Sequence, residues 1–250
     1  MPVTFRFKLR PLREGKILGL GGEALHGLVF KALLQGEPSY ARRVHEAPQK
    51  PFALSPLEGA EREEGWTLLS PEKEVYFDLS FLTDHAVGIF SQGFIGGNFE
   101  LGSCPIEILS SSLLTSKDFR ILKEEAPQEE KLSLEFISPT VLAKGGRELP
   151  LPEPHALLSS LIIRWNTFAP KEFHLDAGKE RELKISRFNL HSSLVKFERF
   201  SSVGFMGRVE FKLPRSEEER KEVGFLFHFA EFSGVGHRTA MGLGRVRLAP

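Results

Sequence analysis

Three consecutive elements are predicted near the carboxyl end of the chain, in residues 216–248, SEEERKEVGFLFHFAEFSGVGHRTAMGLGRVRL. Ser216–Phe232 is predicted to be a helix, and its acidic first turn suits the positive end of the helix dipole. Arg245–Leu248 is predicted to be a strand. Two Gly-x-Gly pairs, Gly234–Gly236 and Gly242–Gly244, lie between them. A helix, a glycine-rich loop and a strand therefore end the fold, and the elements upstream have to supply the rest of its sheet.

The glycine-rich loop has the chemistry of an anion site. Glycine admits positive φ and lets the backbone approach a ligand closely. Successive amides of such a loop can form a concave anion nest, beside which Arg238 can donate to a phosphate. The spacing matches neither the dinucleotide-binding fingerprint nor the Walker loop, which ends in Gly-Lys-Ser or Gly-Lys-Thr. The expected ligand is therefore a polyanion.

Both halves of the chain contain the same order of predicted elements. In the first half these are residues 2–10, Glu23–Leu34, Pro38–His45, Phe52–Leu57, Gly65–Leu69, Glu74–Leu82, Asp84–Phe94 and Phe99–Leu114. In the second half they are Leu132–Ile137, Pro154–Phe168, Lys184–Leu190, Leu194–Phe200, Gly204–Leu213, Ser216–Phe232 and Arg245–Leu248. Alternation of apolar and polar residues marks the strands, and helical spacing marks the helices. Each half thus has the ferredoxin-like order β-α-β-β-α-β.

The sequence predicts an α+β protein of two tandem ferredoxin-like, RRM-like domains, residues 1–124 and 131–250. The polar segment Lys123–Lys131 is the predicted linker. Folds of this kind often bind RNA on the face of the sheet. The formal net charge is zero, but an acidic middle segment, residues 51–130, separates two basic ones. A local basic patch is enough to attract phosphate, so nucleic acid stays a candidate partner.

Composition narrows the class of protein further. The single cysteine, Cys104, excludes an internal disulfide and any multi-cysteine metal site. The amino terminus lacks the apolar block of a signal peptide, and no apolar run approaches the roughly 20 residues that span a bilayer. We therefore expect a cytoplasmic protein that has no membrane partner.

Four stretches spread over the chain carry a resemblance. They are the glycine-rich loop 234–244, His45 followed by KPFALSPL at residues 50–57, ISPT at residues 137–140 with RWNTF at residues 164–168, and VGFMGRV at residues 203–209. Together and in this order they resemble the CRISPR-associated endoribonucleases that cut precursor CRISPR RNA within its repeats. This is the sixth Cas family of the RAMP superfamily.

The resemblance implies two ferredoxin-like domains and a metal-independent endoribonuclease. In that family the ribose 2′-hydroxyl attacks the neighbouring phosphate and leaves a 2′,3′-cyclic phosphate and a 5′-hydroxyl, and the processed RNAs serve as guides. The implied partner is CRISPR repeat RNA, while CRISPR effector-complex subunits and a homodimer are left open. The alternative function is that of a non-catalytic RNA-binding RAMP subunit of an effector complex.

Such cleavage needs a base for the 2′-hydroxyl, an acid for the leaving 5′-oxygen and a cation near the phosphate. His45 matches the family's catalytic histidine in context and is assigned as the general acid. His26, in the preceding helix, is assigned as the general base, although the two roles are exchangeable. Lys50 resembles the family's lysine and would neutralise developing phosphate charge. The structural alternatives are a helix-capping histidine, a boundary histidine and a plain surface lysine, respectively.

The RNA-positioning residues are predicted to be Arg42, Arg43, Gly234, Gly236, His237, Arg238, Gly242 and Gly244. Tyr40 is a substitute proton acceptor should His26 be structural, but the ordinary tyrosine pKa near 10 is unfavourable. The other histidines lack metal-ligand spacing and are predicted to be structural; they are His85, His155, His174, His191 and His228.

Overall fold

The computed structural model describes residues 1–249, which form two compact units. Unit 1 comprises residues 1–116 together with residues 195–201 and 240–242. Unit 2 comprises residues 117–194, residues 202–239 and the chain from residue 243 onward. No helix within residues 1–249 is long and apolar enough to cross a membrane.

Unit 1 is a ferredoxin-like α+β layer with one additional helix. Its elements are β1 (Val3–Pro11), β2 (Gly15–Leu18), α1 (Gly22–Gly36), α2 (Pro38–Glu46), β3 (Phe52–Leu54), β4 (Glu61–Glu63), β5 (Trp66–Leu69), β6 (Val75–Phe81), α3 (Asp84–Phe94), β7 (Phe99–Leu101) and β8 (Cys104–Ser116). The main sheet is antiparallel with the strand order β3-β6-β1-β8-β7. Apart from the short edge strand β7, this is the strand order of a β-α-β-β-α-β unit, and α2 is the additional helix. The strands β2, β5 and β4 form a small separate sheet.

The core of unit 1 lies between the main sheet and the helices α1 and α3. Strand β1 alternates, so that Phe7 and Leu9 are buried while Lys8 is exposed. The Phe7 ring stacks on Phe77 of β6 with 5.3 Å between centroids and meets Phe90 of α3 edge-on at 5.8 Å. Aromatic contacts thus join the sheet to the helix layer.

Glycines allow the backbones of α1 and α3 to approach each other closely. A Cβ built on Gly93 of α3 would overlap the backbone carbonyl oxygen of Ala32 in α1, and one built on Gly36 would overlap that of Ile89. The two helix backbones are therefore in direct contact, and no side chain separates them.

Unit 2 repeats the fold. Its elements are α4 (Phe119–Glu124), β9 (Lys131–Thr140), β10 (Leu142–Lys144), β11 (Arg147–Leu149), α5 (Pro154–Phe168), β12 (Lys184–Lys196), β13 (Ser201–Lys212), α6 (Glu217–Ser233) and β14 (Val246–Ala249). The main sheet has the order β12-β13-β9-β14, and β10 and β11 form a separate hairpin. The Trp165 ring of α5 packs against Phe225 and Phe229 of α6, at 4.6 Å and 5.2 Å between centroids.

The strand order of both units confirms the predicted pair of tandem ferredoxin-like folds. Two predictions of strand number are wrong. The expected strands Lys184–Leu190 and Leu194–Phe200 are one strand, β12, because the polar residues between them interrupt the alternation but not the extended backbone. The expected stretch Phe99–Leu114 is two strands, β7 and β8, because Gly102 turns the chain with a φ of 62°.

The predicted cap of α3 is also wrong by one residue. Thr83 is the N-cap, and its hydroxyl accepts from the Ala86 amide at 3.3 Å, whereas Asp84 is already helical. Both residue types cap helices well, so the sequence alone does not distinguish them. The prediction missed α4, β2, β4 and the β10–β11 hairpin, which are too short to show a period.

The Gly93 contact makes a testable prediction about stability. Gly93→Ala should destabilise the protein by about 1–3 kcal/mol, because the new methyl group would push α1 and α3 apart. Gly88→Ala in the same helix is the matched control, since nothing lies within 4 Å of a Cβ built there. That variant should gain about 0.5–1 kcal/mol from higher helix propensity. Urea denaturation measures both changes, and equal stability of the two variants would contradict the close contact.

Candidate active site

Two histidines contact one phenylalanine ring in unit 1. His26 lies on α1 at the edge of the buried stripe, and Phe30 follows one turn later. The ring centroids of His26 and Phe30 are 4.6 Å apart, and those of Phe30 and His45 are 5.5 Å apart. Phe52 of β3 lies 5.9 Å from His26 and 5.8 Å from Phe30. We call these four residues, together with Lys50, the histidine cluster.

A backbone carbonyl fixes the tautomer of His26. Its Nδ1 lies 2.9 Å from the carbonyl oxygen of Ala240. A carbonyl oxygen only accepts hydrogen bonds, so Nδ1 carries the proton. In the neutral ring the lone pair is then on Nε2, which is the atom that can accept a proton.

Close backbone packing brings Ala240 to His26. A Cβ built on Gly22, the first residue of α1, would overlap the carbonyl oxygen of Met241. Gly242 has a φ of 81°, in the region that favours glycine, and a Cβ there would lie 3.3 Å from the Ser55 carbonyl oxygen. Gly22 and Gly242 thus let residues 240–242 lie directly against the amino end of α1.

The surroundings of His26 favour its neutral form. Burial lowers the pKa of His26 below its ordinary value of 6.5, and the hydrogen bond to Ala240 opposes this in part. The positive charges of Lys50 and His45 lower the pKa further. The His26 ring is therefore neutral near neutral pH and can accept a proton.

His45 is exposed in the last turn of α2, and Lys50 closes that helix end. The Lys50 Nζ donates to the carbonyl oxygens of His45 at 2.8 Å and of Ala47 at 2.6 Å. These are unpaired carbonyls of a helix end, which cations commonly cap. Partial burial lowers the pKa of Lys50. Lys50 therefore fixes the backbone that carries His45 and also places a cation in the cluster.

The two arginines and the tyrosine of α2 lie in different surroundings from His45. Arg42 and Arg43 are exposed, and Arg43 pairs with Glu37 at 3.4 Å. The Tyr40 ring is buried and meets His85 edge-on at 4.7 Å between centroids. Burial raises the pKa of Tyr40, which makes it a poorer proton acceptor than the sequence analysis allowed.

The glycine-rich loop is shaped by its own amides. Gly234, Gly236, Gly242 and Gly244 all have φ between 67° and 81°. Six of the loop amides donate to acceptors within unit 2, namely those of Gly234, Val235, Gly236, His237, Leu243 and Gly244. One of these bonds, from Val235 to the Gly244 carbonyl at 2.8 Å, closes the loop on itself. These six amides therefore stabilise the loop, and the anion nest expected from the sequence is not built from them.

Arg238, at the centre of the loop, has a left-handed backbone with a φ of 57°. Its guanidinium donates to Glu148 at 2.6 Å and to Ser202 at 3.2 Å. The ion pair lowers the pKa of Glu148. Arg238 thus connects the loop to the β10–β11 hairpin and β13.

The histidines outside the cluster have mixed surroundings. His174 Nε2 lies 3.2 Å from the Ala169 carbonyl oxygen, and burial lowers the pKa of His228. His155 and His191 are exposed. Within residues 1–249 there is no group of three or more His, Cys, Asp or Glu side chains arranged to hold a metal ion.

Comparison with known proteins shows which family the chain is similar to. A model of the CRISPR-associated endoribonuclease Cas6 family matches residues 134–246. Cas6 of Mycobacterium tuberculosis is 24% identical over 251 residues, covering 96% of this chain and 75% of that protein. A solved product complex of Thermus thermophilus Cas6 has a TM-score of 0.82 and 28% identity, covering 100% of this chain and 99% of that one. The chain is thus similar to Cas6 proteins along nearly its whole length, at 24% and 28% identity.

Further Cas6 structures show the same similarity. A second Cas6 product complex is 27% identical with a TM-score of 0.77, again covering 100% of this chain and 99% of the other. A Cas6-related protein from Pyrococcus furiosus, at 15% identity and a TM-score of 0.70, shares the fold. The resemblance carried by the four sequence motifs is therefore confirmed.

Sequence reasoning missed three groups at the site. Phe30 and Phe52 were not predicted as site residues, although Phe30 follows His26 by one helical turn. Ala240 acts through its backbone carbonyl, and a carbonyl has no sequence signal.

The tautomer of His26 can be observed directly. In ¹⁵N-histidine NMR, neutral His26 should have its proton on Nδ1, and its pKa should lie below 6.5. Gly22→Ala should reduce the Nδ1–H population, because the added methyl group displaces residue 241 and with it the Ala240 carbonyl. Gly27→Ala, on the same helix with nothing within 4 Å of its Cβ, should leave the spectrum unchanged. An Nε2–H tautomer in the unsubstituted protein would contradict the assignment.

Proposed function

We propose that this chain is a metal-independent endoribonuclease that cleaves precursor CRISPR RNA within its repeats and releases guide RNAs. The observation that carries the proposal is the histidine cluster, in which a neutral His26 with its lone pair on Nε2 shares one phenylalanine ring with His45. A pair of imidazoles can supply both the base and the acid of this reaction. The proposal keeps the first domain, residues 1–124, as the catalytic one.

His26 is the proposed general base. Its Nε2 takes the proton of the ribose 2′-hydroxyl as that oxygen attacks the adjacent phosphorus. The phosphorus–O5′ bond breaks, which leaves a 2′,3′-cyclic phosphate on one product. His45, which is exposed at the end of α2, gives a proton to the leaving O5′, which becomes a 5′-hydroxyl.

Lys50 is proposed to stabilise charge on the non-bridging phosphate oxygens. Its ammonium has three N–H bonds, and two of them donate to the carbonyls of His45 and Ala47. The third can donate to a phosphate oxygen, and the full positive charge acts on the phosphate through a partly buried site. Lys50 is therefore proposed as both a structural and an electrostatic residue.

CRISPR repeat RNA is the proposed partner, bound without a cofactor in the cytoplasm. Related Cas6 proteins have been solved in product complexes and in a substrate-mimic complex. The exposed guanidinium groups of Arg42 and Arg43 are suited to phosphate contacts. In the second domain, residues 131–250, we assign RNA contacts to the glycine-rich loop. The side chains of His237 and Arg238 carry that role, since several loop amides are already used within the protein.

The alternative is an RNA-binding RAMP subunit that does not cut. A RAMP protein that binds different RNA substrates has the same fold, with a TM-score of 0.66 at 17% identity. A binding subunit would use the loop and the arginines equally well. It would gain nothing from a histidine that is held neutral beside a second histidine, and for this reason we favour cleavage.

Cleavage of a stem-loop repeat RNA in EDTA tests the proposal. The unsubstituted protein should give a single cut ending in a cyclic phosphate, and a 2′-deoxy substitution at the cut site should block it. His45→Ala should lower the single-turnover rate by about 10²-fold or more while RNA affinity stays within a few-fold. His155→Ala replaces another exposed histidine and should cut normally. Binding without cleavage by the unsubstituted protein would favour the alternative function.

The pH dependence of cleavage tests the role of His26. A base must be neutral, and the pKa of His26 is lowered by burial. As the pH is lowered, the single-turnover rate should therefore fall to half its plateau value at a pH below 6.5, the ordinary histidine pKa. As the pH falls through 6.5 the rate should change little and should decline only as His26 becomes protonated. If the rate instead fell to half on the acid side at a pH above 6.5, the buried His26 would be excluded as the base.

A further inference from the structure

A cavity lies beside α1 in unit 1, and its lining includes no residue of the histidine cluster. Its volume is about 530 Å³, which is in the ordinary range of small-ligand sites. One aromatic ring, two lysines and three glutamates line it together with apolar residues and glycines. These aromatic and charged residues, all in unit 1, are Trp66, Lys16, Lys31, Glu23, Glu100 and Glu198. We call this space the α1 cavity.

The carboxylates of the α1 cavity have unused acceptor oxygens. Glu23 accepts from the Glu198 amide at 2.9 Å through one oxygen, Oε2. Glu100 and Glu198 are exposed, and their side chains make no hydrogen bond or ion pair within residues 1–249. An ionised carboxylate accepts hydrogen bonds and donates none. The α1 cavity therefore suits a ligand that presents N–H donors.

Trp66 offers a stacking surface in the same cavity. Its ring is half-buried, and the exposed Lys16 ammonium lies 4.6 Å from the ring centroid. The contact of a solvated ammonium with an indole is weak, so a flat ligand can replace it. Bases of single-stranded nucleic acid stack on aromatic side chains in this way. An indole beside unused acceptors therefore fits a nucleobase.

The unused carboxylates distinguish one base from the others. The Watson–Crick edge of guanine carries two adjacent donors, N1–H and the 2-amino group, which match the two oxygens of one carboxylate. Adenine, cytosine and uracil each place an acceptor beside the donor on that edge, and a carboxylate repels it. The edge is free only in an unpaired nucleotide. The chemistry of the cavity thus favours an unpaired guanine.

The two lysines can neutralise the phosphate of such a nucleotide. Lys31 is exposed and has no carboxylate partner among the described residues. Lys16 becomes free for the same role once a base replaces it over Trp66. With three glutamates against two lysines, the α1 cavity does not attract phosphate by net charge. It therefore selects a base and not a stretch of RNA backbone.

The α1 cavity and the histidine cluster use neighbouring faces of one helix. Glu23, Gly27 and Lys31 follow each other one turn apart and line the cavity. His26 and Phe30 lie on the next stripe of α1 and belong to the histidine cluster. A helix with its side chains is about 10–12 Å across. An RNA strand can therefore reach both faces within a few nucleotides.

We propose that the α1 cavity binds one unpaired guanine nucleotide of the repeat RNA close to the cut. The base stacks on Trp66, its N1–H and 2-amino group donate to the carboxylates of Glu100 and Glu198, and the lysines face its phosphate. The bound guanine fixes the register of the RNA and so selects which phosphate reaches the histidine cluster. This assignment rests on the proposed function, which supplies the RNA.

Tryptophan fluorescence tests the site without any cleavage. The chain has two tryptophans, and Trp165 is fully buried, so quenching by an added nucleotide reports on Trp66. GMP should quench the fluorescence saturably and bind about 5-fold or more tighter than AMP, CMP or UMP, as expected for one bidentate contact to a base. Trp66→Phe should abolish the quenching. Equal quenching by the four nucleotides, or no quenching, would overturn the proposal.

A double variant tests the carboxylates. Glu100→Gln combined with Glu198→Gln should remove the preference for GMP, because each amide presents a donor where the carboxylate had an acceptor. Glu72→Gln replaces an exposed carboxylate of unit 1 that lies outside the cavity, and it should keep the preference. Retention of the full preference by the double variant would contradict the proposed contacts.

Inosine substitution identifies the source of the guanine, since inosine lacks only the 2-amino group of guanosine. When the unpaired guanosines of a stem-loop repeat RNA are replaced one at a time, one position should weaken RNA binding by about 5-fold or more. The double variant should not respond to that replacement. If GMP quenches Trp66 but no inosine position matters, the cavity binds a free nucleotide and the RNA is excluded as its source. Binding is measured apart from cleavage, so RNA that is bound through this guanine but never cut would refute the proposed function and support the site.

Discussion

The hydrogen bond between His26 Nδ1 and the carbonyl oxygen of Ala240 joins residues 214 positions apart in the chain. It decides what the histidine cluster can do. A histidine without a fixed partner exchanges between two tautomers and several ring orientations, and either change moves the lone pair. A backbone carbonyl removes that freedom, since it accepts from one nitrogen and leaves the other as the acceptor. The proton-accepting atom is thus oriented before any substrate arrives.

This arrangement depends on the absence of side chains at two positions. Gly22 and Gly242 leave room for residues 240–242 to lie on the amino end of α1, where a methyl group at residue 22 would collide with a backbone oxygen. The glycine-rich loop therefore has a role beyond contact with a ligand. Its last part supplies the carbonyl that orients His26, and its other amides hold its own shape.

Burial and nearby positive charge act in the same direction on the pKa of His26. Phe30 and Phe52 exclude water from one side of His26, which favours the neutral imidazole. The Lys50 ammonium adds to that effect and is itself held by the carbonyls that end α2. Because the same lysine fixes the end of the helix that carries His45, its substitution would change geometry and electrostatics together. Activity alone does not separate these two contributions of Lys50.

The sequence by itself determined the repeated β-α-β-β-α-β order, because the periods of strands and helices are local properties that each segment carries. It also indicated His26, His45 and Lys50, since these residue types in this order resemble a family with known chemistry. The predictions were wrong where the sequence pattern was ambiguous. Examples are the choice between Thr83 and Asp84 as N-cap of α3 and the division of the continuous strand β12 into two.

Only the tertiary structure decided which atoms meet. The bond from His26 to the Ala240 carbonyl and the contact between the Phe30 and His45 rings join positions that no local pattern relates. Backbone amides and carbonyls are nearly the same in every residue. A contact made through them therefore depends on the path of the chain and cannot be predicted from residue identity.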